Sequence, residues 1–450
     1  MKKRDTFSSG IGFVLAAAGS AVGLGNIWRF PYLAAKYGGG LFLLFYILLV
    51  LSFGYTLMVT ENAIGRKTGK SALSAFGELN KKWAFLGVIA TLIPMIIFLY
   101  YNVIGGWVIK YAVTFVTGGH AEAAQDGFFD SMLASPGQQI LFQFIFSAIT
   151  TIVILRGVQK GVEKFSTVLM PLLILLSIIV AVYSITLPGA MVGIKYLFVP
   201  DFSHFSISGI LAALGQMFYS LSLAMGIMVA YGSYLPKDSD LEKNVGRIEL
   251  FDSGIALLAA LMIIPAVFAF SGGDESALGA GPGLMFITLP KVFESMGFST
   301  VIGSVFFVLV LLAAITSSIS IMEAIVSSLC DKFGWERNKV TIITGIASFF
   351  LGMLPILGYN VLDWVTVGGM TILDMMDFIT NSVLMPIVAL LTCLFISYVM
   401  GVSVIHDEIK ISSKFRRQWL FDIMIKYIAP IFIFAILISS ILNSIGVISL

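Results

Sequence analysis

The chain has 450 residues, of which 58% are hydrophobic and only 12% are charged, about half the charged share of an ordinary soluble domain. A chain this apolar cannot cover itself with polar surface in water, so the composition excludes a soluble globular protein. The net charge of +2 and the scattered basic residues give no nucleic-acid patch, and the two cysteines and three histidines give neither a disulfide framework nor a metal cluster.

Eleven apolar segments are long enough to cross a bilayer, whose core takes about 20 residues as a helix. We number them in chain order as spans one to eleven. They cover residues 10–36, 40–64, 84–117, 139–156, 162–187, 208–235, 246–271, 298–330, 339–357, 366–400 and 421–447. The sequence therefore predicts an all-α polytopic membrane protein, with residues 1–450 forming one membrane domain.

The basic residues set the predicted orientation. The N-terminus and every second loop hold 21 of the 27 lysines and arginines, and such loops face the cytoplasm. The opposite loops carry acids such as Asp126 and Asp274. We therefore expect a multi-pass protein of the cell (inner or plasma) membrane with a cytoplasmic N-terminus. Because the number of spans is odd, the C-terminus is expected outside.

Spans one and six carry helix-breaking residues at mid-depth. Span one holds Gly19, Gly23 and Gly25 before Asn26, and span six holds the small and hydroxyl residues of 220–226. Each glycine costs a helix roughly 1 kcal/mol relative to alanine, and free backbone at membrane depth is tolerated only where it lines a cavity or binds a ligand. Interruptions five spans apart indicate an inverted repeat with a binding site at the membrane midplane.

Eleven short groups of residues resemble signatures of the neurotransmitter:sodium symporter family, above all the run of residues 19–31 in span one. The full set comprises Arg4-Asp5, 19–31, Gly38–Gly40, Glu61, Gly65-Arg66, Tyr100-Tyr101 with Trp107, Gly215-Gln216, 220–222, 231–234, 313–318 and 374–378. The chain is most similar to the eleven-span bacterial transporters of hydrophobic amino acids. The resemblance implies a five-plus-five inverted repeat with unwound helices one and six. Its parts are repeat one (about 10–187), repeat two (about 208–400) and an additional helix (about 421–447).

The resemblance also implies two sodium sites built from oxygen ligands, which suit a hard cation. Sodium site one would use the Ala21 carbonyl, the Asn26 side chain, Ser220, Asp252 and the carboxylate of the substrate. Sodium site two would use the carbonyls of Gly19, Val22 and Ala313 with the hydroxyls of Thr316 and Ser317.

A substrate pocket and two gates follow from the same resemblance. The substrate would contact residues of the two unwound segments and their neighbours: Ala21, Leu24, Gly25, Ile97, Tyr101, Tyr219, Ser220, Ser222, Met225 and Ile321. The outer gate would pair Arg29 with Asp377, and the inner gate would pair Arg4 with Asp331, supported by Phe7 and Tyr234.

Two further expectations concern single elements. Animal members of the family bind chloride beside sodium site one, where they carry an asparagine and a serine. Here these positions are Asp252 and Ala256, so a fixed carboxylate is expected to replace the anion and remove any chloride requirement. Gly161 and Pro171 bracket the cytoplasmic start of span five. Because both residues weaken a helix, this segment is expected either to unwind or to form an ordinary kink.

The predicted function is sodium-coupled import of neutral hydrophobic amino acids, aliphatic or aromatic, by alternating access. Two alternatives stay open: a membrane sensor that binds an amino acid without moving it, and a sodium-dependent transporter of another small zwitterion. A channel is expected to have a ring of like groups, whereas the polar groups here form unlike clusters. An enzyme is expected to have a cluster of catalytic side chains, which the sequence does not show. Both classes are therefore disfavoured. The expected partners are the amino acid, two Na⁺ ions and the lipid bilayer, and the oligomeric state stays open.

Overall fold

The computed structural model describes residues 5–274, 277 and 281–444. Nine of its helices are long and apolar enough to cross a membrane: Gly40–Thr68, Lys81–Val116, Pro136–Leu155, Val158–Ile185, Leu241–Ser271, Ser299–Phe333, Arg337–Leu357, Ile372–Met400 and Gln418–Leu442. They are spans two to five and seven to eleven. Span one is a bent pair of helices and counts as a tenth. Span six is interrupted, and its longer half, Ile207–Ser220, is too short to cross a membrane alone. By length and composition the described residues therefore contain up to ten of the eleven predicted spans.

Span one consists of Gly10–Ala21 and Gly25–Lys36, bent by 55° at the break between them. Ser9 caps the first half, because its hydroxyl accepts a hydrogen bond from the Gly12 amide at 3.0 Å. Span six consists of Ile207–Ser220 and Ile227–Gly232, separated by residues 221–226. The two predicted unwound helices are therefore confirmed at the predicted positions.

The ends of the other spans follow local chemistry. Asp240 caps span seven by accepting a hydrogen bond from the Lys243 amide at 3.0 Å, and Gly272 ends this span at φ 71°. Gly334 ends span eight in the same left-handed conformation. Only glycine adopts this conformation without steric cost.

The predicted start of span ten at residue 366 is wrong by six residues. Gly368 and Gly369 have positive φ, and Thr371 forms a capping box with Asp374 that starts the helix at Ile372. The apolar character of residues 366–370 therefore belongs to an exposed turn. The predicted end of span eleven at 447 lies outside the described residues.

Burial distinguishes central from peripheral spans. In span eight 78% of the most apolar window is buried, whereas in span eleven the share is 22%. Large apolar side chains such as Phe144, Val168 and Ile431 are exposed on the outside, as expected of a surface that faces lipid. Shorter helices connect the spans: Ala72–Leu79, His120–Ala123, Phe128–Leu133, Ala190–Phe198, Leu289–Glu294 and Ser403–Lys410.

Candidate functional site

The two broken spans meet at a central cavity of about 30 Å³, which is room for a water molecule or two, so the site is nearly closed. All ten predicted substrate residues line it, together with Ser20, Gly23 and Ser317, which were not predicted to do so. Its walls contain no charged side chain. A neutral ligand is therefore the kind of occupant that these walls suit, and one of amino-acid size would require the walls to move apart.

The break in span six is held by side chains of other spans. Ser222 and Ala224 have positive φ, at 53° and 61°, which non-glycine residues rarely adopt. The Ala224 amide donates to the buried Glu61 carboxylate at 2.6 Å, and the Ser222 hydroxyl donates to the Ser20 carbonyl at 3.0 Å. Glu61 thus accepts a backbone hydrogen bond that an intact helix would have accepted internally, and Ser20 anchors the break through the Ser222 side chain.

The two broken spans approach each other closely at Gly25. A Cβ at this position would lie 2.5 Å from the ring of Tyr219, well inside van der Waals contact. Any larger residue would push Tyr219 out of the cavity wall. The close approach explains why the second half of span one begins with glycine.

A buried polar cluster occupies the position predicted for sodium site one. Asp252 is fully buried, and its carboxylate accepts hydrogen bonds from Asn26 at 2.8 Å, Ser220 at 2.7 Å and Tyr46 at 2.8 Å. Within the described part of the chain, no lysine, arginine or histidine lies within 4.0 Å of this carboxylate. A buried carboxylate without a basic partner is costly unless a cation accompanies it.

Tyr46 is a member of this cluster that the sequence analysis missed. Its hydroxyl also lies 3.1 Å from the Ser220 hydroxyl, and its ring packs on Phe30 with centroids 4.8 Å apart. The sequence did contain a sign of this contact, namely a tyrosine in the middle of an otherwise apolar span. A buried tyrosine hydroxyl requires a hydrogen-bond partner.

The residues predicted for sodium site two also converge. The Ser317 hydroxyl lies 3.4, 3.1 and 3.2 Å from the carbonyl oxygens of Gly19, Ser20 and Val22. Thr316 lies beside Gly19, where an added Cβ would be 3.3 Å from the Thr316 Cβ, and its hydroxyl donates within its own helix to the Ala313 carbonyl at 3.0 Å. One hydroxyl hydrogen cannot serve three carbonyls at once. A small cation fits this group of oxygens, and it would join span one to span eight.

One end of the cavity suits a carboxylate. The Tyr101 hydroxyl is buried and has no hydrogen-bond partner among the described residues. It lies close to Gly23, at whose position a Cβ would be 3.3 Å away. The adjoining Leu24 and Gly25 stand at the start of the second half of span one, where amide groups and the helix dipole favour an anion.

The predicted outer gate is not formed as an ion pair here. The Arg29 guanidinium carbon lies 5.4 Å from the centre of the Tyr219 ring. Asp377 instead accepts hydrogen bonds from Tyr100 at 3.1 Å and from Asn381 at 2.6 Å. A second cavity, separate from the central one, is lined by residues that include Arg29, Tyr219 and Asn381. Tyr219 belongs to the walls of both cavities and separates them.

The opposite side of the molecule carries the N-terminus, and we name it the N-terminal face. It is closed by packed side chains. Phe7 is 2% exposed, its amide donates to the Tyr234 carbonyl at 3.1 Å, and its ring contacts Tyr231 edge to face. Arg4 lies outside the described residues, so the predicted pair with Asp331 is not described. Asp331 accepts a hydrogen bond from the Ser71 amide at 2.7 Å.

A buried ion pair that the sequence analysis did not predict lies beside Tyr234. The Tyr234 hydroxyl donates to Glu323 at 2.7 Å, and Glu323 is paired with Arg337, whose Nη1 lies 2.9 Å from one carboxylate oxygen. Glu323 was recognised only as a charge inside span eight. Because Arg337 follows the loop after that span, its reach back to Glu323 was not predictable from spacing.

Comparisons with known proteins show which family the chain belongs to. The model of the Sodium:neurotransmitter symporter family matches residues 4–122 and 130–447. An uncharacterized sodium-dependent transporter, YhdH of Bacillus subtilis (strain 168), is 38% identical over 100% of this chain and 99% of its own length. One from Haemophilus influenzae is 34% identical over 98% of both chains. The crystal structure of MhsT in complex with L-phenylalanine superposes with a TM-score of 0.87 and 37% identity, covering 97% of this chain and 100% of the other. The chain therefore belongs to the sodium:neurotransmitter symporter family.

Proposed function

We propose that this family member imports neutral hydrophobic amino acids, aliphatic or aromatic, together with two Na⁺ ions. The observation that carries the proposal is the fully buried Asp252 carboxylate, which has no basic partner among the described residues and lies against an uncharged cavity. A cation at Asp252 would neutralise this carboxylate and attract that of the substrate. Binding of ion and substrate would thereby be coupled.

The part of the cavity that would contact the side chain of the substrate supports a neutral hydrophobic amino acid. Ile97, Met225 and Ile321 line it together with the ring of Tyr219. Methionine is flexible and polarizable, so it can repack around aliphatic and aromatic shapes. The neighbouring structure, that of MhsT, was determined with L-phenylalanine, which agrees with a large apolar side chain at this place.

Sodium site one requires one local change in the cluster. The Asn26 amide nitrogen now faces Asp252, while its oxygen accepts a hydrogen bond from the Gly23 amide at 3.2 Å. Rotation of the amide by a half turn would present its oxygen to a Na⁺ ion, beside the Ala21 carbonyl and Ser220. The ion would then bring together span one, span six and span seven.

Chloride independence is the second part of the proposal. Two Na⁺ ions and a zwitterion sum to two positive charges, and an ionised Asp252 lowers the total to one. Each unit of charge at mid-membrane is expensive, so a fixed carboxylate can replace a mobile anion. Ala256, one turn after Asp252, is buried and offers no hydroxyl to an anion.

Alternating access would come from repeat one (about 10–187) moving against repeat two (about 208–400). The N-terminus would lie in the cytoplasm and the C-terminus outside. Tyr219 separates the central cavity from the one that contains Arg29. Arg29 and Asp377 would approach each other when this side closes. Arg4 and Asp331 would separate when the N-terminal face opens.

The test uses purified protein in liposomes. We expect uptake of labelled leucine or phenylalanine to require an inward Na⁺ gradient and to persist when gluconate replaces chloride. Valine, isoleucine, methionine and the aromatic amino acids should compete, whereas glutamate and lysine should not. Preloaded substrate should drive counterflow. Saturable binding without counterflow would favour the sensor, and best competition by a charged amino acid would contradict the pocket assignment.

A further inference from the structure

A groove on the outside of the molecule combines three basic side chains with an apolar floor. It lies where span four turns into span five, has a volume of about 550 Å³, and is lined by Arg156, Lys160, Lys164, Phe165, Val168 and Leu169. It belongs to the N-terminal face, because the neighbouring Gln159 donates to the Thr6 carbonyl at 2.7 Å. The central site uses none of these residues.

The charges of this groove are all of one sign. Arg156, Lys160 and Lys164 are exposed, and none of them has a carboxylate within 4.0 Å among the described residues. The acid of the same helical turn, Glu163, is 5% exposed and faces the protein interior, where it accepts hydrogen bonds from Ser8. The basic residues therefore have no carboxylate in direct contact among the described residues, although Asp5 lies beside Gly157, and they can bind an external anion.

The uncharged part of the groove continues into the bilayer. Arg156 lies over the ring of Phe165, 5.9 Å from its centre. Val168, Leu172, Leu175 and Ile179 follow at helical spacing on the outside of span five, with exposed fractions of 60%, 40%, 55% and 44%. A ligand in this groove would meet positive charge at the membrane surface and apolar side chains below it.

We propose that this groove binds an anionic phospholipid of the cytoplasmic leaflet. Arg156 can hold the phosphate in a two-pronged contact, Lys160 and Lys164 lie around the headgroup, and an acyl chain runs along the stripe that begins at Val168. Basic pockets beside apolar helix faces on the cytoplasmic side are suited to anionic lipid headgroups. The assignment to the cytoplasmic leaflet rests on the orientation given under the proposed function. The lipid site itself does not depend on that orientation.

The experiment measures lipid binding in detergent, without transport. Phosphatidylglycerol should be retained by the wild-type protein in native mass spectrometry and should raise its Tm, whereas phosphatidylcholine with the same chains should do so much less. Each basic residue near a membrane surface contributes about a fivefold gain in binding. The variant Arg156→Gln/Lys160→Gln/Lys164→Gln should therefore bind phosphatidylglycerol roughly a hundredfold more weakly.

A matched control removes three exposed charges elsewhere on the N-terminal face. Lys81→Gln/Lys82→Gln/Lys339→Gln should keep the lipid-dependent rise in Tm. Equal stabilisation of the groove variant and the control would overturn the proposal. So would a rise in Tm with glycerol phosphate equal to that with phosphatidylglycerol, since the site would then bind phosphate alone. If the triple variant does not fold, the single variants Lys160→Gln and Lys164→Gln should each show the fivefold loss.

Discussion

At the scale of single residues, the role proposed for Asp252 in sodium site one can be tested separately for the charge of the carboxylate and for its orientation. We expect Asp252→Asn to raise the Na⁺ concentration for half-maximal uptake at least tenfold, or to make uptake respond to chloride, because the fixed charge is lost while the shape is kept. Tyr46→Phe removes one hydrogen bond to the same carboxylate but keeps the charge. It should weaken Na⁺ activation only several-fold, and uptake should stay independent of chloride.

These effects are measured as Na⁺-driven uptake in chloride and in gluconate. Asp363→Asn, at an exposed position in an outer turn, is the matched control and should behave as wild type. Wild-type uptake that disappears in gluconate, or unchanged Na⁺ activation in Asp252→Asn, would contradict the assignment of the carboxylate.

At the scale of elements, the start of span five is tied to the N-terminal segment. Residues Val158–Glu163 form a π-helical turn that contains Gly161, and the regular helix Lys164–Ile185 continues through Pro171. Glu163 in this turn accepts hydrogen bonds from the Ser8 amide at 2.9 Å and the Ser8 hydroxyl at 2.5 Å. Release of the segment before residue 9 would therefore remove partners from Glu163, which stands near the start of the segment, 162–170, that is predicted to unwind.

Glu163→Gln should loosen this turn. Hydrogen bonds to a charged group contribute about 1.5–3 kcal/mol each, so we expect amide hydrogen exchange over residues 158–171 to be at least tenfold faster in the variant without Na⁺. Gln159→Ala, which loses only a contact to the Thr6 carbonyl, should have a smaller effect. In the wild type, exchange that is equally slow with and without Na⁺ would favour an ordinary kink over unwinding.

The elements that could be predicted are those whose cause is local. The glycine run of span one and the small residues 220–226 weaken a helix wherever they occur, so both breaks were recognisable from the chain. The contacts that were missed join distant segments: Tyr46 reaches Asp252 and Arg337 reaches Glu323. Such pairs depend on how the spans pack against each other, which helical periodicity does not report. The turn at 366–371 was misread because its apolar residues resemble a span.

At the scale of the whole molecule, the two sides of the central cavity differ in closure. The N-terminal face is sealed by Phe7, Tyr234 and the Glu323–Arg337 pair, whereas a cavity on the other side reaches down to Tyr219. A transporter that alternates must close this second cavity when Na⁺ and substrate bind. A residue in its wall, such as Ser382, should then become inaccessible from outside the cell.

This closure can be read by thiol labelling. In a background of Cys330→Ser, we expect Ser382→Cys to react from outside with a membrane-impermeant maleimide in the absence of Na⁺. Its labelling rate should fall at least fivefold with Na⁺ and leucine, because the proposed closure would bring Arg29 and Asp377 together and exclude the reagent. Asp363→Cys, at its exposed position in the outer turn, should label equally fast in both conditions.

If Ser382→Cys is protected by leucine without Na⁺ to the same extent, closure does not depend on the ion and the coupling through Asp252 is wrong. Labelling of both positions only after the membrane is permeabilised would reverse the orientation that the basic loops predict.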